Sequence, residues 1–479
     1  MENLYEKNNS NRKLWRGTAT RSRGRIRLKL KLKYLYLSSV FILFACNNSS
    51  DSVSQDQNIP PITEEQNSLY VTNQWEVSNP AEEDFDETML LEAFDYGMSD
   101  GTFTQSVLVV RNEKIAHEEY RGITEQEKQF LITNNTPEDL YKNFDFRDKF
   151  SLASSWSVAK SFLSILIGIA IDKGFIDSID EQASSYIYEW ENDDRSLVSI
   201  RELLNMRSGL VPICRGENEE PIICQSYTGT GGGLLPFPDV TALCIDRQIA
   251  DTGVIQPWFS DSITWEEDYF YYINCDTQVL GEILQRAIGG DIETFAEINL
   301  FSKIGFDNYW WTDKTSNQLA YCCLDAVPRD FAKFGQLILN YGSWGDEQIV
   351  SETYINEIKS IHPNLVVTER NGSYAYGMQF WTFSFPITQE DGNEFPTYPI
   401  YSAIGFDGQY IIIDFEKNMV VIRNSLYHPY ITTGERVVNV SGDLLTEFNF
   451  PNTLPSSLGF NPNFDTNQFL YKIHKSIIR

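Results

Sequence analysis

Histidine is scarce in this chain of 479 residues: there are four, at positions 117, 362, 428 and 474, well separated from one another. No C-x-x-C pair occurs either. Zinc sites draw on closely spaced Cys and His, so neither a metal centre nor a cofactor is expected. Positive charge is missing from most of the chain. Residues 1–33 carry eleven Lys/Arg against two Glu; beyond them 27 basic residues face 65 acidic ones, a formal charge of -38. So acidic a body repels nucleic acid and anionic lipid, which argues against both as partners. What is present is a globular composition, 42% hydrophobic and 22% charged, in a chain long enough for a sizeable core.

The basic head runs into "YLYLSSVFILFA" (34–45), twelve mostly apolar residues, too few to span a bilayer comfortably but suited to the h-region of a secretion signal. Cys46 follows. "LFAC" (43–46) resembles the lipobox of bacterial lipoproteins, with Phe44 bulkier than usual there. That resemblance implies cleavage before Cys46, a lipid on its thiol, and an exported lipoprotein held to a membrane of the cell envelope. Residues 47–68 are polar, lack Lys and Arg and contain a Pro-Pro, which reads as a tether. The expected organisation is a signal segment (1–45), a lipidated Cys and tether (46–85), one domain (86–448) and a polar tail (449–479). Export permits disulfides among Cys214, Cys224, Cys244, Cys275, Cys322 and Cys323. Cys214 and Cys224 are close enough to close a small loop; the remaining pairing is open.

Within the domain an amphipathic helix is expected over Glu87–Tyr96, then a hairpin over 105–120 with its turn at 112–114. A helical middle follows, with helices near 200–206, 277–288, 291–301, 328–341 and 351–359. Residues 211–268, rich in Gly, Pro and Cys, read as an irregular excursion. Strand patterns return at 374–381, 398–404, 409–415 and 419–425, before a last helix near 434–448. Strands at both ends and helices between them predict an α+β fold: one antiparallel sheet built from both termini, with the helical middle packed on one flank.

Three stretches carry chemistry. "SSWSVAKSFLSILIGIAIDKG" (154–174) puts Ser157 three residues before Lys160, at the start of an otherwise apolar helix. Positions i and i+3 share a helix face, so hydroxyl and amine point into one cleft. A lysine at the end of an apolar helix is disfavoured in its charged form, and its neutral amine can take the serine proton. S-x-x-K also occurs at Ser10–Lys13, in the basic head with no apolar helix after it, and a lysine on a core helix can simply snorkel. The second stretch is "YYINCDTQVLGEIL" (271–284), where Tyr272-x-Asn274 sits in a loop before an amphipathic helix. Two other Y-x-N copies, Tyr141–Asn143 and Tyr354–Asn356, lack that setting. The third is "YSAIGFDGQYIIIDF" (401–415), a strand, turn and strand whose edge can present backbone N–H groups, or be an ordinary hairpin. "GMSDG" (97–101) fits the nucleophile-elbow pattern by letter only, because a helix precedes it and a strand follows, the reverse of what an elbow needs.

Together "SVAKSFLSILIGIAIDKG", "IRELLNMRSGL" (200–210), "YINCDTQVLGEIL", "VPRDFAKFGQLILNYG" and "GFDGQYIIIDFEKNMVVI" resemble the serine β-lactamase-related hydrolases. The resemblance is nearest to class C β-lactamases and DD-peptidases and, among relatives, 6-aminohexanoate-dimer hydrolases and esterases, and it spans roughly residues 86–448. It implies the β-lactamase/DD-peptidase fold, Ser157 as acylated nucleophile, Lys160 as general base, Tyr272 as second proton carrier and Asn274 as their partner. It also implies an oxyanion hole from the backbone N–H groups of Ser157 and Phe406. One departure stands out: where the family carries Lys-x-Gly or His-x-Gly, this chain has Ala403-Ile404-Gly405. The glycine is kept and the cation is not. The expected function is therefore a serine hydrolase acting on a small-molecule or short peptide-like ester or amide, and not an efficient β-lactamase. Two other readings compete with it: a sensor or binding lipoprotein that keeps the fold without turnover, and an aromatic-rich structural envelope protein.

Overall fold

The computed structural model describes residues 75–478, apart from 134–137, 139–140, 142–143, 217–219, 225–233, 236, 252–269, 361–365, 370–371, 385–386, 389–393, 396–397 and 427–463. The signal segment, Cys46 and the helix expected at 434–448 lie outside the described residues.

Apolar and β-branched runs from both halves of the domain build one eight-stranded sheet. Its strands are β1 (Thr104–Arg111), β2 (Lys114–Tyr120), β3 (Val366–Glu369), β4 (Gly372–Gly377), β5 (Phe380–Ser384), β6 (Ile400–Gly405), β7 (Gln409–Asp414) and β8 (Met419–Ser425). The spatial order is β3-β4-β5-β6-β7-β8-β1-β2, antiparallel at every step. β1 is paired on both sides: Leu108 faces Ile422 and Val110 faces Val420 on β8, and β2 closes the edge.

Because side chains alternate across a strand, β1 feeds two cores. Leu108 and Val110 join the larger one; Val107 and Val109 join the smaller one on the opposite face. Over the larger core lie α2 (Ala159–Asp172), α4 (Asn274–Ile288) and α5 (Pro328–Leu339). The last of these approaches the sheet closely because Gly335 has no side chain; a Cβ there would sit 2.6 Å from a Val420 methyl. Over the smaller core lie α1 (Glu87–Gly97) and α6 (Thr466–Lys475). A further short helix, α3 (Val240–Ile245), belongs to the cysteine-rich excursion.

The helical middle packs on one face of the sheet, as expected, and α1 and α6 cover the other. Three differences from the sequence expectation have physical causes. Order starts before residue 86: Trp75 donates its indole N–H to the Arg329 carbonyl at 2.8 Å, and Ser78 and Ile115 share a backbone hydrogen bond. The segment expected as a polar tail carries α6, whose Phe469, Leu470 and Ile473 are buried against Leu90 and Phe94 of α1. Its apolar positions recur at helical spacing among polar ones, which lowers the segment's average hydrophobicity and hides the helix. The stretch 374–381, expected as one strand, is the turn of a hairpin: Met378 and Gln379 both take positive φ, 52° and 63°. That geometry normally announces itself through Asn or Gly at the turn positions, and here Met and Gln occupy them. The "GMSDG" stretch is the end of α1 and a turn, with the exposed Ser99 hydroxyl donating to the Tyr96 carbonyl at 2.8 Å.

Candidate active site

A short strand, Ala153–Ser154, pairs with Leu324–Ala326 and leads the chain into the site. Ser155 is clamped twice to Leu324, its N–H donating to the Leu324 carbonyl and its Oγ accepting from the Leu324 N–H, each at 2.9 Å. Trp156 then takes φ 46°, a left-handed conformation that costs a non-glycine residue roughly 1 kcal/mol or more and is held by its surroundings. The chain tightens into a 3-10 turn, Trp156–Val158, that runs directly into α2. Within this turn Trp156 and Val158 are buried, whereas Ser157 is half-exposed. The turn thus offers one hydroxyl to the outside.

Lys160 lies one turn further and is 1% exposed. Its Nζ meets Ser157 Oγ at 3.0 Å, Asn274 Oδ1 at 2.8 Å and the Tyr321 carbonyl oxygen at 2.7 Å. Burial pushes this amine well below the ordinary lysine range. The partners sort themselves by chemistry. An amide oxygen and a carbonyl oxygen can only accept, and a neutral amine has two N–H bonds to give them. Its lone pair is then left for Ser157, the one partner with a proton to offer. The arrangement can activate a hydroxyl.

Tyr272 and Asn274 come from the loop and first residue of α4. The loop is fixed by a Tyr271 N–H to Met206 carbonyl bond of 3.0 Å. The helix start is held by the Cys244–Cys275 disulfide to α3 and by a fully buried ion pair, Arg247 Nη2 to Asp276 Oδ1, 2.9 Å, on which Ser208 Oγ also converges at 2.9 Å. The Tyr272 ring centroid is 5.1 Å from Lys160 Nζ. The ring also packs against Tyr376 and Trp381, with centroids 5.6 and 5.4 Å away.

The third stretch reaches the same place. Gly405 ends β6 against the Ser157 turn; a Cβ there would lie 2.2 Å from the Ser155 carbonyl oxygen and 3.1 Å from Trp156 Cβ. The Phe406 ring meets the Trp156 ring edge-on at 5.8 Å. Ala403 is fully buried in the larger core and brings no charge. Beneath the turn, Asp325 pairs with Ser154 across the short strands. Burial pushes its carboxyl up to about 7, against the opposing hydrogen bonds of Ser154 and the Trp311 indole.

Ser157, Lys160, Tyr272, Asn274, Gly405 and Phe406 therefore converge from three distant segments. Sequence reasoning missed Tyr321, whose contribution is a backbone carbonyl and leaves no mark in side-chain identity. It also missed the wall of Tyr376 and Trp381, which look like ordinary strand aromatics.

No protein-family model matches the chain. Solved structures do. A candidate 6-aminohexanoate-dimer hydrolase from Bacillus anthracis superposes with a TM-score of 0.52 at 19% identity, covering 75% of this chain and 83% of that one. A class C β-lactamase from Rhodobacter sphaeroides gives 0.50 at 12% identity, over 82% of this chain and 100% of that one. A penicillin-binding protein homologue from Caulobacter crescentus gives 0.50 at 11%, over 81% and 98%. The fold is that of the serine β-lactamases and DD-peptidases, the α+β architecture that the sequence motifs imply.

Proposed function

We propose that this protein is a serine hydrolase that cleaves an ester or amide through an acyl-enzyme on Ser157. The observation that carries the reading is Lys160 Nζ, buried and shared between Ser157 Oγ and two pure acceptors. Lys160 takes the Ser157 proton as Oγ attacks the acyl carbon, and the backbone N–H groups of Ser157 and Phe406 receive the developing oxyanion. Tyr272, beside the lysine, passes a proton to the leaving group while Asn274 holds the amine in place. Water then enters by the reverse sequence and releases the acid. The substrate class is a small-molecule or short peptide-like ester or amide with a neutral acyl group, because Ala403 offers a substrate carboxylate neither charge nor donor.

The protein acts, in this reading, as an exported lipoprotein of the cell envelope. The basic head, the short apolar run and "LFAC" support this, with Cys46 as the lipidated residue. A Cys46→Ser protein should move from the membrane fraction to the soluble one with its activity intact.

A fluorophosphonate probe followed by peptide mass spectrometry tests the site, with turnover of nitrophenyl butyrate measured in parallel. The expected result is label on Ser157 together with sustained turnover. Label on Ser99 instead would sink the assignment, and a stalled stoichiometric Ser157 adduct without turnover would point to a sensor.

A further inference from the structure

Cys322 and Cys323 are adjacent in sequence and joined to each other by a disulfide. Both are buried, at 1% and 0% exposure. The bond closes a small covalent ring through the intervening peptide and removes most of that peptide's torsional freedom. Its position is what matters. The residue before it, Tyr321, gives the carbonyl that accepts from Lys160 Nζ at 2.7 Å. The residue after it, Leu324, makes both backbone clamps on Ser155, two residues before Ser157. The ring therefore links the peptide that holds the amine to the peptide that holds the hydroxyl's turn. Cys323 sits at φ 70°, a left-handed conformation that an ordinary side chain does not choose. Its carbonyl in turn accepts from the Trp311 N–H at 3.0 Å, which ties the ring to the core.

We propose that the Cys322–Cys323 disulfide is a positioning device for the reaction: it fixes the Tyr321 carbonyl against Lys160 and thereby sets the amine relative to Ser157. The proposal rests on the reading of Ser157 and Lys160 as nucleophile and base. Neither cysteine touches the reacting atoms; both act through the Tyr321 carbonyl. The groups facing Lys160 Nζ are Ser157 Oγ, Asn274 Oδ1, the Tyr321 carbonyl and the rings of Tyr272 and Tyr321. A carbonyl that accepts from an ammonium favours the protonated amine. Letting it drift away has two consequences with definite signs. The amine loses one of its anchors, so the rate per site falls. The ammonium also loses a stabilising partner, so the lysine titrates lower still.

The test is the Cys322→Ala/Cys323→Ala variant, assayed on the full chain with a nitrophenyl ester. The burst of nitrophenol counts competent sites, so unfolded molecules drop out of the comparison. The expected result is a kcat per titrated site lower by about 10- to 100-fold, the order of loss that a small misplacement of a reacting group produces. The acidic limb of the kcat profile should also move toward lower pH by about half a unit or more. A variant with wild-type kcat per site and an unmoved acidic limb overturns the proposal, since a purely structural disulfide would change only the number of competent sites. Should that variant fail to fold, Cys322→Ala/Cys323→Gly keeps the left-handed position accessible while removing the ring, and the same two outcomes apply. Peptide mapping of the wild type without reduction provides a readout independent of activity. It should find Cys322 and Cys323 bonded to each other, and alkylation of both as free thiols overturns the proposal. Ser157→Ala tests the nucleophile reading by itself, so the two failures are distinguishable.

Discussion

Lys160 has three oxygen neighbours and, once neutral, two protons for them, and its behaviour follows from that mismatch. Ser157→Ala and Lys160→Ala should each lower turnover of a nitrophenyl ester on the order of 10⁴-fold, and the double variant should be little worse, because in the proposed mechanism nucleophile and base work as one unit. Lys160 must be uncharged to accept a proton. Activity should therefore rise as pH climbs through its lowered pKa, and the acidic limb should lie below the usual lysine range, which a kcat/KM profile reads directly. Ala403 makes a prediction by omission. Short neutral esters should show a higher kcat/KM than a chromogenic cephalosporin, and the reverse order would mean that another cation holds the carboxylate. Asp325 bears on stability. Its carboxyl is raised to about 7 in the folded protein from an ordinary 3.8, so the folded state binds more protons between those values. Stability should fall as pH rises from about 4 to about 7, by roughly 4 kcal/mol at most, and Asp325→Asn should flatten that slope in denaturant titrations. Ser157, Lys160, Tyr272 and Asn274 were legible as side chains at motif spacing. The Tyr321 carbonyl was not, since every residue has one and only the fold selects which carbonyl faces an amine.

Among the elements, the end of β6 and the Ser157 turn meet at a distance that only glycine allows. Gly405→Val should abolish turnover, because its first added carbon would stand 2.2 Å from the Ser155 carbonyl oxygen and must displace one of the two segments. A near-wild-type kcat in that variant would show that the strand end does not shape the site. The Cys244–Cys275 bridge ties α3 to the first turn of α4 and spans 31 residues. Replacing both cysteines with Ala should lower the unfolding free energy by about 3 kcal/mol, measured in denaturant, with kcat falling too because Asn274 stands beside Cys275. Most elements could be placed in advance from their periodicity: the 105–120 hairpin, the Ser157 helix, the late strands. The β4–β5 turn could not, because Met378 and Gln379 are held at positive φ by contacts rather than chosen for it. Gln379 is pinned from several sides, its side chain bonding the Leu203 and Leu204 carbonyls and Thr277, and its own carbonyl accepting from Ser161.

For the molecule as a whole, the sheet is a meeting of distant chain segments, with Val109 beside Val421 and Val110 beside Val420. This pairing of early and late strands was readable from the order of strand and helix patterns. Of the helices on the smaller core, α1 was readable from its periodicity and α6 was not, because it follows a long polar stretch. α6 is tied down by more than its apolar face: His474 Nε2 lies 2.9 Å from Asp414 Oδ2 of β7, both side chains buried. Deleting residues 464–479 uncovers Phe85, Leu90 and Phe94 and removes Phe469, Leu470 and Ile473. At roughly 1.5–3 kcal/mol per buried side chain, these six put the loss on the order of 10 kcal/mol, seen as a much lower denaturant midpoint. The last turn of the chain is also stitched to the first turn of the domain: Ile477 bridges Phe85, and the Ile478 N–H donates to the Asp84 carbonyl at 2.8 Å. A domain whose first and last turns already touch is close to being a loop. A short linker could join these turns and a new start be cut at an exposed turn such as Gly345–Asp346, giving a circularly permuted domain, or the whole domain could be spliced as a cassette into a surface loop of another protein.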